Sequence, residues 1–145
     1  MTTPAHPDLG ARIGQVLADA SPPGVASVWL FGSQAEGRAH RESDVDVAVL
    51  LRWDVHPSIR ERFDERVRLS AWLGGELRRD SVDLVILNDV SPELGRRIVT
   101  AGLRVYCADA EADHAYVRDV QLRAADLDVF LRRMRALKLD ALAKP

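Results

Sequence analysis

The sequence predicts an α/β protein of the α+β type: a small mixed sheet flanked by helices, with one long helix at the C-terminal end. Three observations carry this expectation. Short apolar runs rich in β-branched residues alternate with longer stretches whose apolar residues recur every three or four positions. Turn residues such as "SPPG" and "GS" punctuate the boundaries. From about residue 111 to 142 helical spacing continues without a break, too long for a connector.

Taken in order, Pro7 to Ala20 reads as a helix, with Leu9, Ile13, Val16 and Leu17 on one face. Val25 to Phe31 is a strand, and Gly32 to Ser43 a polar loop. Asp44 to Leu51 is almost entirely apolar after its two acids, as expected of a central strand covered on both faces. Pro57 to Leu77 reads as a helix whose apolar stripe is Ile59, Phe63, Val67, Leu69, Trp72 and Leu73, with Arg and Glu on the other side. Ser81 to Leu87 is a third strand. Ser91-Pro92 supplies an N-cap and first-turn pair for a helix ending near Gly102. "LRVYC" is a fourth strand. In the final helix Val117, Val120, Ala124, Leu127, Leu131, Met134 and Ala141 form one seam, broadened by Tyr116, Phe130 and Leu137. Core packing is the expectation for that seam; an exposed seam would instead be a partner surface. Residues 1–110 form the expected core, with 111–145 a helix of the same domain.

The 145 residues fit one domain with a sizeable core. A net charge of -2 lacks the basic excess of a dedicated nucleic-acid binder, and no stable nucleic-acid binding is expected. A lone cysteine, Cys107, makes no internal disulfide and sits in a strand, where packing is its ordinary role. No run reaches the ~18 to 20 apolar residues of a membrane span. The start has no signal-peptide pattern, so cytoplasmic location is the expectation.

The chemistry concentrates in "GSQAEGRAHRESDVDVAVL". Asp44 and Asp46, two apart on a strand, face the same way, with Cα atoms ~6.8 Å apart. Two metal ions in a phosphoryl-transfer site lie ~3.5 to 4 Å apart, a spacing this pair can serve. Asp83 opens "VDLVIL"; if that strand pairs with the one led by Asp44, all three acids converge and repel unless divalent cations hold them. Magnesium suits such oxygen ligands. Gly32-Ser33, at a strand end, offers backbone N–H groups and a hydroxyl to a phosphate, and Gly32 permits close approach. Each piece alone has a bland reading as a turn or a solvated acid; their joint spacing does not.

That spacing resembles the signature of the DNA polymerase β-like nucleotidyltransferases, in particular the minimal nucleotidyltransferase (MNT) branch. The likeness covers about Val25 to Asp109, including "VDLVILNDVSPELGRRIVTAGLRVYCAD". It is similar above all to the MntA-like antitoxins of type VII toxin–antitoxin pairs. The resemblance implies the polymerase β-like fold and transfer of AMP from ATP to a tyrosine of a HEPN-domain ribonuclease toxin, silencing it. It implies that Asp44 and Asp46 bind two Mg2+ ions, that Asp83 binds one of them and helps deprotonate the acceptor hydroxyl, and that Gly32 and Ser33 hold the triphosphate. Gln34 and Glu36 depart from the pattern, since many members carry Arg there.

Relatives that modify small molecules add a helical domain to build the acceptor pocket. This chain has only the long helix, which favours a large acceptor, although homo-oligomerisation would also complete a pocket. Two other readings compete: neutralisation of the partner by binding alone, and nucleotidyl transfer to RNA or a small molecule. Arg96, Arg97, Arg132, Arg133 and Arg135 are ordinary solvated residues or part of the approach to the site. His6, His40, His56 and His114 show no metal-ligand spacing.

Overall fold

The computed structural model describes residues 9–32, 35 and 44–143. Four helices and four strands run α1 (Leu9–Ala20), β1 (Val25–Phe31), β2 (Val45–Leu51), α2 (Ile59–Leu77), β3 (Val82–Ile86), α3 (Pro92–Ala101), β4 (Leu103–Cys107) and α4 (Ala110–Ala143), with a 3-10 turn at Leu87–Asp89. The sheet order is β3-β2-β1-β4. β1 pairs antiparallel with β2 and β4, whereas β2 and β3 are parallel. Only a crossover can join parallel neighbours, and α2 is that crossover.

Strand alternation sorts the core into two layers. Val45, Val47, Val49 and Leu51 of β2 pack with α1 and α2 through Ile13, Leu17, Leu69 and Leu73. Ala48 and Leu50 face the other way, with Trp29, Ile98, Tyr116 and Val117 from β1, α3 and α4. The apolar run of β2 thus belongs to a strand buried on both faces, as its sequence predicts.

The helices start where capping chemistry starts them. Ser58 and Glu61 form a capping box on α2, and Ser91 accepts from the Leu94 N–H ahead of Pro92 on α3. The outer edge of β3 does not stand open. The Val82 carbonyl accepts from Ser70 Oγ (3.2 Å) and the Leu84 carbonyl from Arg66 Nε (2.9 Å), so α2 caps the edge strand.

Two expected apolar faces are corrected. On α2, Ile59, Phe63 and Val67 are exposed, while Arg62 and Glu65 are buried beside Leu69 and Leu73. Arg62 repays burial by a forked pair to Asp89, a bond to the His56 carbonyl and stacking over Trp53 at 4.6 Å. Glu65 is paired with Arg68. On α4, core packing stops early. Val120 and Ala124 are buried, but Leu127, Phe130, Leu131, Met134 and Leu137 are exposed. The helix has 34 residues and is about 51 Å long, so its second half runs past the layer that could cover it.

Below that layer, Asp113 anchors α4. Its side chain is fully buried, accepts from Trp29 Nε1 at 3.3 Å and meets Arg104 at 2.6 Å. Arg104 also stacks on the Trp29 ring at 4.6 Å. Among the described residues, no helix is long and apolar enough to cross a membrane.

Candidate active site

Asp46 and Asp83 are partners in the parallel ladder of β2 and β3. Residues in register point to the same face, and adjacent strands lie ~4.8 Å apart, so the two carboxylates are neighbours. Asp44 stands immediately before β2 and is exposed. Asp46 feels both acids. Partial burial pushes its carboxyl above the ordinary carboxylate range, and the charges of Asp83 and then Asp44 push it further. Register thus brings Asp46 and Asp83 together, and Asp44 acts on Asp46 through its charge.

The second half of the site lies across β2. Phe31, the last residue of β1, pairs with Asp46. The next residue, Gly32, has φ +74°, a left-handed conformation that favours glycine. A Cβ placed on Gly32 would collide with Asp46 Oδ2. The backbone therefore passes directly against the carboxylate, and only a glycine permits it. Ser33, Gln34, Glu36, Gly37 and His40 lie outside the described residues.

The donor set suits a hard divalent cation: the ligands are carboxylate oxygens, and their repulsion calls for positive charge. The acids are not drawn into a closed shell, since no group of three His, Cys, Asp or Glu among the described residues is close enough to hold a metal.

Two open grooves lie near this end of the sheet, on opposite faces. On the β1 side Gly32 and Phe31 adjoin Arg96, Arg97 and Thr100 of α3. Arg96 is tied to Asp128 at 3.4 Å, and Arg97 is exposed. These two arginines thus share a groove with Gly32, while the positive charge expected at positions 34 and 36 is missing from the sequence. A second groove runs between α2 and the edge of β3, past Asp83, Arg66, Ser70 and Arg78, on the α2 side of the sheet and so away from the face that Asp46 shares with Ala48 and Leu50. Sequence reasoning did not foresee it; its signal is the recurrence of 63, 66/67, 70/71 and 74 along α2. Tyr116 is no exposed nucleophile: burial, with Asp119 nearby, pushes its hydroxyl up to about 12.

A left-handed glycine held against a carboxylate after one strand, with acids at the heads of the next two, on a sheet of this order, is the arrangement expected of a nucleotidyltransferase. The comparisons agree. The model of the polymerase beta nucleotidyltransferase family matches residues 13–111, and the chain belongs to that family. It is 32% identical over 100 residues to the protein adenylyltransferase MntA of Shewanella oneidensis, covering 69% of this chain and 67% of that protein. Among solved structures, it is similar to a chain of a toxin–antitoxin crystal structure determined with AMP-PNP. That match has a TM-score of 0.65 and 27% identity and covers 93% of this chain and 99% of the other. A minimal nucleotidyltransferase of solved structure matches with a TM-score of 0.50 and 28% identity, over 66% of this chain and 90% of its own.

Proposed function

We propose that this chain is an antitoxin adenylyltransferase that transfers AMP from ATP to a tyrosine of a HEPN-domain ribonuclease toxin and so inactivates it. The observation that carries this is the register of Asp46 with Asp83 beside the Gly32 cradle. The likeness to the protein adenylyltransferase MntA and to a toxin–antitoxin chain determined with AMP-PNP supports the acceptor class and the nucleotide. On this reading the chain acts in the cytoplasm.

In this reading Asp44, Asp46 and Asp83 hold two Mg2+ ions. When bound, the ions lower the pKa of the attacking hydroxyl and neutralise the leaving pyrophosphate. The residues of the chain do the rest. Gly32 brings its backbone against the triphosphate, with the Ser33 hydroxyl as a further donor. Arg97 offsets phosphate charge from α3. Asp83, the most exposed of the strand carboxylates, accepts the proton of the acceptor hydroxyl. The tyrosyl oxygen bonds to the α-phosphorus, and the bond to the pyrophosphate oxygen breaks on the opposite side.

The test is to incubate the protein with magnesium, labelled ATP and the product of the neighbouring gene. Label on a partner tyrosine is expected; label on RNA, or nowhere, overturns the reading. Asp44→Asn separates catalysis from neutralisation by binding, because a binding antitoxin keeps its protection in that variant.

A further inference from the structure

We propose that the distal half of α4 is a self-association surface, through which two copies of this chain pair as an antiparallel coiled coil. The inference concerns assembly and does not depend on the transfer reaction proposed above.

Exposure and spacing point to a helical partner. Leu127, Phe130, Leu131, Met134 and Leu137 are large apolar side chains, yet they are 38–64% exposed. They are not scattered. Val117, Val120, Ala124, Leu127, Leu131 and Met134 recur at alternating steps of three and four, the repeat of about 3.5 residues that marks a coiled-coil seam. The chain's own core covers that seam only as far as Ala124. Phe130 and Leu137 widen its exposed half on one flank. Tyr116 and Arg123 stand on the same flank, at steps of seven, and line an open groove of about 780 Å³ beside α4. A second helix laid along the seam therefore has room next to the body.

The flanking charges select the occupant. Asp128 and Arg135 stand on the other flank, seven apart and opposite in sign. Turning a second α4 end for end, about an axis between Arg132 and Arg133, sets Leu131 on the second copy's Met134 and Leu127 on the apolar stem of the second copy's Lys138. Phe130 then meets the second copy's Leu137 on one flank, and Asp128 meets the second copy's Arg135 on the other. Each contact occurs twice, as a two-fold pair requires. Asp128 meets Arg96 of its own chain through Oδ2 only, at 3.4 Å, which leaves its other oxygen for Arg135. A parallel pair is excluded by Lys138, which would face its own copy inside the seam. A surface made for an unrelated partner has no need to complement itself.

Sedimentation equilibrium over rising protein concentration tests this. Wild type is expected to dimerise and Phe130→Asp to remain monomeric with an unchanged near-UV circular dichroism spectrum. Charge swaps test the register. Asp128→Arg and Arg135→Asp should each weaken the dimer about tenfold or more, since two ion pairs become two repulsions. The double variant, and an equimolar mixture of the two single variants, should both recover it. Wild type that is monomeric up to about 100 μM overturns the proposal, because such affinity is too weak for a specific interface. If Phe130→Asp then also fails to bind the product of the neighbouring gene, the seam belongs to that partner instead. A dimer that survives Phe130→Asp overturns the surface. Single swaps without effect, or no recovery in the double variant and the mixture, overturn the antiparallel pairing.

Discussion

Gly32 and Asp46 leave each other no room: the backbone at φ +74° sits where any Cβ would strike the Asp46 carboxylate. The turn after β1 and the Asp46 carboxylate are thus mechanically coupled. Gly32→Ala is expected to push Asp46 out of line, to cut nucleotide transfer about a hundredfold or more, and to cost about 1–2 kcal/mol of stability from the left-handed backbone. Single-turnover transfer together with a urea denaturation curve checks both; near-normal transfer would show that the contact is not part of the machinery.

Asp46 destabilises the metal-free fold. Its carboxyl is held above the ordinary value of 3.8, first by burial and then by Asp83 and Asp44. The folded state therefore binds the proton more tightly than the unfolded one. The penalty is absent below the unfolded value, grows as pH rises through the folded value, and is complete at neutral pH. In chelator, Asp46→Asn should melt above wild type at neutral pH, with the gap closing as pH falls below the ordinary carboxylate range. The same variant should be inactive. A gap that widens in acid would contradict the sign.

Divalent cations should reverse that order. On the proposed reading Mg2+ binds the acids only in the folded chain, so wild type should gain thermal stability with added magnesium, while Asp46→Asn gains much less. Differential scanning calorimetry at rising magnesium tests this without any acceptor. Equal gains in the two proteins would argue against the acids as the ion site.

Arg104 and Asp113 tie β4 to α4 at 2.6 Å, with the carboxylate fully buried. Arg104→Met leaves that charge with only the Trp29 Nε1–H, at an expected cost of about 2–3 kcal/mol. Asp113→Asn, which can still accept from Trp29, should cost less. Urea unfolding followed by tryptophan fluorescence ranks the two.

The distal half of α4 contributes little to the core, because its apolar residues from Leu127 onward are exposed. A chain ending at Ala125 loses the exposed Arg96–Asp128 pair, worth no more than about 1 kcal/mol. Its cooperative unfolding, read by near-UV circular dichroism, should be nearly unchanged while helix signal drops. Loss of cooperative unfolding would place that half in the core after all.

Most of the fold was legible because the strands are short apolar runs between strong punctuation. β1 and β4 have the expected bounds, Val25–Phe31 and Leu103–Cys107. The nearness of Asp46 and Asp83 was legible because each is the second residue of its strand, and parallel pairing then puts them in register. The helical faces were harder. On α2 the spacing of Ile59, Phe63 and Val67 imitates a buried stripe, while Arg62 is buried only because Asp89, 27 residues on, supplies a forked partner. On α4 the periodicity is real, but periodicity says nothing about how far the covering layer extends. Both errors concern partners distant in sequence or absent from the chain.

The parallel pairing of β2 with β3 also sets a folding order. Asp46 and Asp83 are 37 positions apart and become neighbours only once α2 has crossed over and docked. The β1–β2 hairpin has a shorter loop to close than that crossover, so its contacts are cheaper to form early. During synthesis the cradle and the first two acids emerge together, and the third acid joins them only after the longest-range strand contact of the site has closed. A half-folded chain therefore lacks the Asp46–Asp83 pairing: that neighbourhood exists only once the whole sheet has been assembled.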